Sequence, residues 1–133
     1  MRYLAFYEIK GRKHIIFFLF TTQVKKSREQ KEFYGQLFDW KLEDTPMEDM
    51  TYTMIKVGSG TGGGLMKNPM PDEGSAWMPY MNVTDIKDAT RKAENLGGNV
   101  MKDVTEVKDM GWLSIIRDPT GAMFGMWEEK KKQ

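Results

Sequence analysis

The sequence predicts an α+β fold built from two copies of one strand–helix–strand–strand–strand unit. Three observations carry this. First, Ile115 to Trp127 reads Ile-Ile-Arg-Asp-Pro-Thr-Gly-Ala-Met-Phe-Gly-Met-Trp, two apolar runs around a turn. Pro119 presets φ for the first central turn position, Asp118 can bond its own backbone just ahead, and Gly121 can take a positive φ. Second, Tyr52 to Met66 is a weaker copy: strand residues Met54-Ile55-Lys56-Val57, a glycine-rich loop at 58–64, then Leu65-Met66. Third, each hairpin follows a helical segment, at 27–38 and 85–96, and each helix follows a strand, at 15–24 and 77–83. The copies are offset by about 58 to 61 residues, a supersecondary module rather than a solenoid repeat.

Composition narrows the function classes. A chain of 133 residues, 40% apolar and 29% charged, is one domain with room for a core. A formal charge of +1 with both signs scattered gives no basic stripe for nucleic acid. Zero cysteines exclude disulfide and thiolate chemistry and suit a reducing compartment, so a cytoplasmic location is expected. The single histidine, His14, excludes any site needing two histidines from one chain. Lys10, Arg12 and Lys13 precede an apolar run, but Ile15 to Phe20 is too short to span a membrane and lacks a small-residue cleavage site.

Residues 1–9 are rich in strand formers, and Gly11-Arg12-Lys13 could turn them back onto the strand that follows. A terminal extension is the alternative for residues 1–14. Ser27 with Gln30 reads as a capping box, and Phe33, Tyr34, Leu37 and Phe38 form a stripe expected to face the core. Lys41 to Glu48 reads as a short strand and connection, and Met50 to Val57 as the third strand. The loop at 58–64 lacks the Gly-Lys-Ser/Thr ending and following helix of a phosphate cradle, so a hairpin loop is expected. Pro69 and Pro71 mark the linker between modules. In module two, Thr84 is the expected N-cap of a helix burying Ile86, Ala89, Ala93 and Leu96, and Gly97-Gly98 stops it. Strands at 99–107, 111–116 and 122–127 follow, and Glu128 to Gln133 reads as a solvated tail.

Glu32-Phe33-Tyr34-Gly35-Gln36-Leu37-Phe38-Asp39-Trp40 resembles a helix end of the vicinal oxygen chelate superfamily, which includes glyoxalase I, bleomycin-resistance proteins and extradiol dioxygenases. Trp77-Met78-Pro79-Tyr80-Met81-Asn82-Val83, Leu96-Gly97-Gly98 and Asp118-Pro119-Thr120-Gly121 resemble its second-module markers. The resemblance spans residues 15–128, module one at 15–68 and module two at 76–128, leaving 129–133 as a charged tail. It implies two βαβββ modules forming curled mixed sheets around a cleft, usually completed by dimerisation.

The resemblance also implies a divalent ion held by one residue from each of four strands. Those positions fall here on Leu19, Gly64, Met78 and Gly125, none an oxygen or imidazole donor. No metal and no cofactor are therefore expected. Side chains in phase with the vacated positions should face the cleft: Thr21, Gln23, Met66, Tyr80, Asn82, Met123 and Trp127, with Met78 itself. Trp112 and Ser114 join them as ligand-binding candidates. The expected function is binding of an apolar or aromatic small molecule by a homodimer, with no nucleic-acid or membrane partner. One rival is a metal-dependent lyase, isomerase or dioxygenase with displaced ligands. Another is an interaction module whose cleft is filled by its own side chains. His14 reads as a surface or turn residue, and the paired acids Glu43-Asp44, Glu48-Asp49 and Asp72-Glu73 read as solvated charge.

Overall fold

The computed structural model describes residues 15–21, 24–46, 51–58, 62–70 and 74–131. His14, Gln23, the N-terminal segment 1–14, Asp49, Asp72 and Glu73 lie outside them, as do residues 59–61 of the glycine loop.

The repeat is present as expected. Module one runs β1 (Ile15–Thr21), α1 (Val24–Leu37), β2 (Lys41–Pro46), β3 (Thr51–Lys56) and β4 (Gly63–Lys67). Module two runs β5 (Ala76–Asn82), α2 (Ile86–Asn95), β6 (Asn99–Val107), β7 (Gly111–Arg117) and β8 (Met123–Glu129). All eight strands join one sheet in the order β2-β3-β4-β1-β5-β8-β7-β6, which reads alike from both ends. Within each module the last strand returns parallel to the first, β4 on β1 and β8 on β5. The modules meet at the centre, where β1 and β5 pair antiparallel from Ile15↔Met81 to Phe20↔Ala76. The result is an α+β fold with a mixed sheet.

Both helices cover the same, outer face. α2 lays Ile86, Ala89 and Ala93 on Ile116 of β7 and on Met126 and Phe124 of β8. In module one Tyr34 and Trp40 pack with Leu42 against Ile55 and Leu65. Among the described residues no helix is long and apolar enough to cross a membrane.

Helix ends depart from the sequence reading. α1 begins at Val24, a turn before Ser27, so Ser27 is not its cap. For α2 the cap is Asp85 rather than Thr84: its side chain accepts from Asp88 N at 3.0 Å. The neighbouring orphan donor, Ile86 N, reaches Glu128 Oε1 at 2.8 Å, so Glu128 belongs to β8 and to the helix cap, not to a solvated tail. At the other end Gly97 takes φ +97°, and the amides of Gly97 and Gly98 close on Glu94 O and Ala93 O.

The expected apolar stripe of α1 is only partly inward. Phe33 is 60% exposed and Leu37 56%, and Phe38 is exposed too. Tyr34 alone of the four is half-buried, stacked near Trp40 and edge-on to Trp77, whose Nε1 donates to the Tyr34 hydroxyl at 3.2 Å. On α2 Leu96 lies past the last turn and is 71% exposed.

The β7–β8 turn forms as its residues dictate. Gly121 N donates to Asp118 O at 3.0 Å, and Gly121 sits at φ +101°. Asp118 Oδ1 accepts from the Thr120 hydroxyl, Thr120 N and Ala122 N, which holds its carboxyl below the ordinary value.

Candidate functional site

Side chains alternate across a strand, so the residues opposite the helices define an inner face. β5 contributes Met78 and Tyr80, β4 Met66, β3 Tyr52, β7 Leu113 and Ile115, and β8 Trp127 with Met123 alongside. These join Met70, Val107 and Met110 in one cluster. Tyr80 is 1% exposed although no described helix stands in front of this face. Burial without a covering layer means that the sheet curls around these residues. Tyr52 and Tyr80 confirm the curl, since they come from strands separated by two others, about 14 Å apart in a flat sheet. They nevertheless pack in one buried cluster.

The inner face is apolar, methionine-rich and holds two phenols. Burial pushes the Tyr52 phenol up to about 12. Burial, and then Tyr52, push that of Tyr80 further up. Met70 arrives from the linker through Asn68, whose Oδ1 accepts from Met70 N at 2.9 Å and whose Nδ2 donates to Gly74 O at 2.9 Å. This buried side-chain turn fixes the chain as it leaves β4.

Of the sequence-derived candidates, the structure brings Met66, Met78, Tyr80, Met123 and Trp127 together. Asn82 is half-buried, shares the phase of Tyr80 on β5 and pairs in register with Trp127. Thr21 lies on β1, of which only the backbone is described, and Gln23 lies outside the described residues. Trp112 and Ser114 do not join this face. Both stand on the outer face, because Leu113 and Ile115 take the inner phase of β7. Ser114 is fully buried, its hydroxyl 2.9 Å from that of Thr90 on α2, and Trp112 packs with the α2 cluster.

Sequence reading passed over Tyr52, which lies beside Met66 because Thr53 pairs with Leu65. That hairpin register was the available signal. It also passed over the outer hollow of about 660 Å³ between α2 and β6 that Trp112 lines.

Three of the positions that the resemblance assigns to a metal set, Gly64, Met78 and Gly125, lie on the inner face. Gly64 and Gly125 carry no donor, and Met78 offers a buried thioether. At Gly125 the room for a side chain is taken: a Cβ there would stand 2.5 Å from Cε2 and Cζ of Tyr80. Among the described residues no three of His, Cys, Asp and Glu converge as a metal-binding group.

Comparison with known proteins agrees with this architecture. Residues 20–126 match the family model described as a glyoxalase-like domain. The chain is 32% identical over 108 residues to "Putative glyoxylase CFP32" of Mycobacterium tuberculosis, covering 76% of this chain and 41% of that protein. It thus spans about two fifths of that relative's length. Among solved structures it is similar to hypothetical protein BH1468 of Bacillus halodurans, with TM-score 0.64, 13% identity, and coverage of 91% of this chain and 97% of that one. It is likewise similar to methylmalonyl-CoA epimerase of Mycobacterium tuberculosis, with TM-score 0.58, 13% identity, and 86% of each chain covered. At such identities the structural likeness concerns the fold.

Proposed function

We propose that this chain, which belongs to the glyoxalase-like domain family, binds a small apolar or aromatic molecule on its inner sheet face without a metal ion. The observation that carries this is the convergence of Met66, Met78, Tyr80, Met123 and Trp127 on one curled face. Methionines are flexible and polarizable and repack around varied ligands. Two phenols supply the few polar groups that orient a ligand in an apolar site. Metal independence rests on the donor chemistry of Gly64, Met78 and Gly125, not on anything a metal left behind.

The working unit in this reading is a cytoplasmic homodimer. Its support is the exposed apolar surface of α1 with Trp77, where Phe33, Leu37 and Phe38 stand outward beside stacked aromatics. A second copy of this chain would cover it.

Native mass spectrometry of untagged protein purified without chelators tests both parts. The expected result is a metal-free dimer, shifted to monomer by Leu37→Lys, and one bound 8-anilinonaphthalene-1-sulfonate per chain, weakened by Met66→Ala or Met123→Ala. One metal ion per chain, lost when carboxylates are replaced, overturns the metal-independent reading. Probe binding indifferent to both methionine variants overturns the site.

A further inference from the structure

The outer hollow lined by Trp112 has a physical origin in the difference between the modules. In module one, Tyr34, Trp40 and Leu42 fill the space between helix and sheet. In module two α2 faces the sheet with Ala89, Thr90 and Ala93, and β6 answers with Val100 and Val104. Small side chains on both sides leave a groove of about 660 Å³ with a half-buried indole in its lining. That size suits a small organic ligand.

Its walls carry both signs of charge. Lys87 and Arg91 stand one turn apart on α2, Glu94 follows on the same stripe, and Asp103 and Glu106 come from β6. Among the described residues, Lys87, Glu94 and Asp103 enter no ion pair, and Arg91 reaches only Asp88 of its own helix, at 3.8 Å. The Asp103 carboxylate accepts from Val104 N at 2.8 Å, and charges of both signs that line one groove without pairing across it suit a group carrying both signs. One internal ammonium already shows the chemistry of the acidic end. Lys130 Nζ lies 5.8 Å from the Trp112 ring centroid and 3.4 Å from Glu106 Oε2.

We propose that this groove is a second binding site, separate from the inner face, for a small zwitterion with an apolar body, of the α-amino acid class. The ligand ammonium takes the place of Lys130 over Trp112 beside Glu106 and Asp103, and the ligand carboxylate goes to Lys87 and Arg91. A simple anion meets three carboxylates in this groove and a simple cation meets two basic side chains, so neither is matched as a zwitterion is.

Calorimetric titration of the full chain with three matched probes tests this: L-phenylalanine, 3-phenylpropionate lacking the ammonium, and phenethylamine lacking the carboxylate. L-Phenylalanine is expected to bind one per chain and about tenfold tighter than either other probe. Glu106→Gln and Arg91→Ala should each weaken it by about tenfold through loss of a charge-assisted contact. Lys130→Ala, an exposed substitution, should tighten it several-fold, because the internal competitor is gone. The Trp112 indole N–H resonance should shift on binding. Equal binding of the three probes, no binding up to about 10 mM, or an unchanged affinity in Lys130→Ala overturns the proposal. A response confined to the inner-face methionine methyls also overturns it, without touching the inner-face reading.

Discussion

Replacing Gly125 by alanine isolates the contact between β8 and the Tyr80 ring. The new Cβ would stand 2.5 Å from Cε2 and Cζ of Tyr80 and 2.6 Å from Cδ2. Carbon atoms rest at about 3.5 to 4.0 Å, so the overlap exceeds about 1 Å. Neither side can yield freely. Gly125 is paired on both sides, with Tyr80 and Ile115, and the Tyr80 ring is enclosed in the inner-face core. Overpacking of this kind costs roughly 1–3 kcal/mol, and a site so confined should lie at the upper end. For a domain of this size that lowers Tm by roughly 6–12 °C. The assay is thermal and urea unfolding of Gly125→Ala, Tyr80→Ala and the double variant. Tyr80→Ala alone should cost about 3–5 kcal/mol as a cavity. In the double variant the methyl has room, and the cycle should show a coupling of at least about 1 kcal/mol. A neutral Gly125→Ala, or purely additive variants, would refute the claim that the Tyr80 ring fills the space beside Gly125.

Three further outcomes follow from the same geometry. Tyr52 and Tyr80 should stay protonated above the ordinary phenol value in an absorbance titration at alkaline pH, Tyr52 titrating near 12. Because the folded protein holds these protons more tightly than the unfolded chain, stability should be intact below pH 10 and fall between about 10 and 12, most steeply in wild type and less in Tyr52→Phe. Glu128→Ala removes the acceptor of Ile86 N and should cost about 1 kcal/mol, with faster amide exchange confined to the first turn of α2. Thr90→Val strands the buried Ser114 hydroxyl and should cost about 1–3 kcal/mol in urea unfolding, much of it recovered in Thr90→Val/Ser114→Ala.

The repeat was legible because turn chemistry is local. Asp118, Pro119 and Gly121 specify their hairpin whatever surrounds them, and Gly97-Gly98 ends α2 by backbone conformation alone. The phase of β7 was not legible. Trp112-Leu113-Ser114-Ile115-Ile116 is covered on both faces, so apolar and polar residues do not alternate along it and the sequence carries no sign of which way each points. Helix caps depend on what stands nearby: Glu128, far along the chain, satisfies Ile86 N and helps place the start of α2 at Asp85 rather than Thr84. The outward turn of Phe33 and Leu37 was hidden for a different reason. A 3.6-residue stripe shows that a helix has an apolar side, not that the same chain covers it. The inner-face cluster came through in part because Met78, Tyr80, Met123 and Trp127 keep a two-residue alternation along β5 and β8 with positions that the resemblance supplied.

An eight-stranded sheet that does not close has two free margins, and here both are unfit to recruit another strand. β2 shows Lys41, Glu43 and Asp44, tied back by Lys56 at 3.0 Å and Lys31 at 3.2 Å. β6 breaks register twice against β7, between Val100 and Lys102 and again before Thr105, which spoils the even row of amides and carbonyls that a fibril would template on. Growth of the sheet from chain to chain is therefore blocked at each end. The molecule can carry a long open sheet and an exposed aromatic helix at once, because the strand edges that could polymerise and the apolar face of α1 lie on different surfaces.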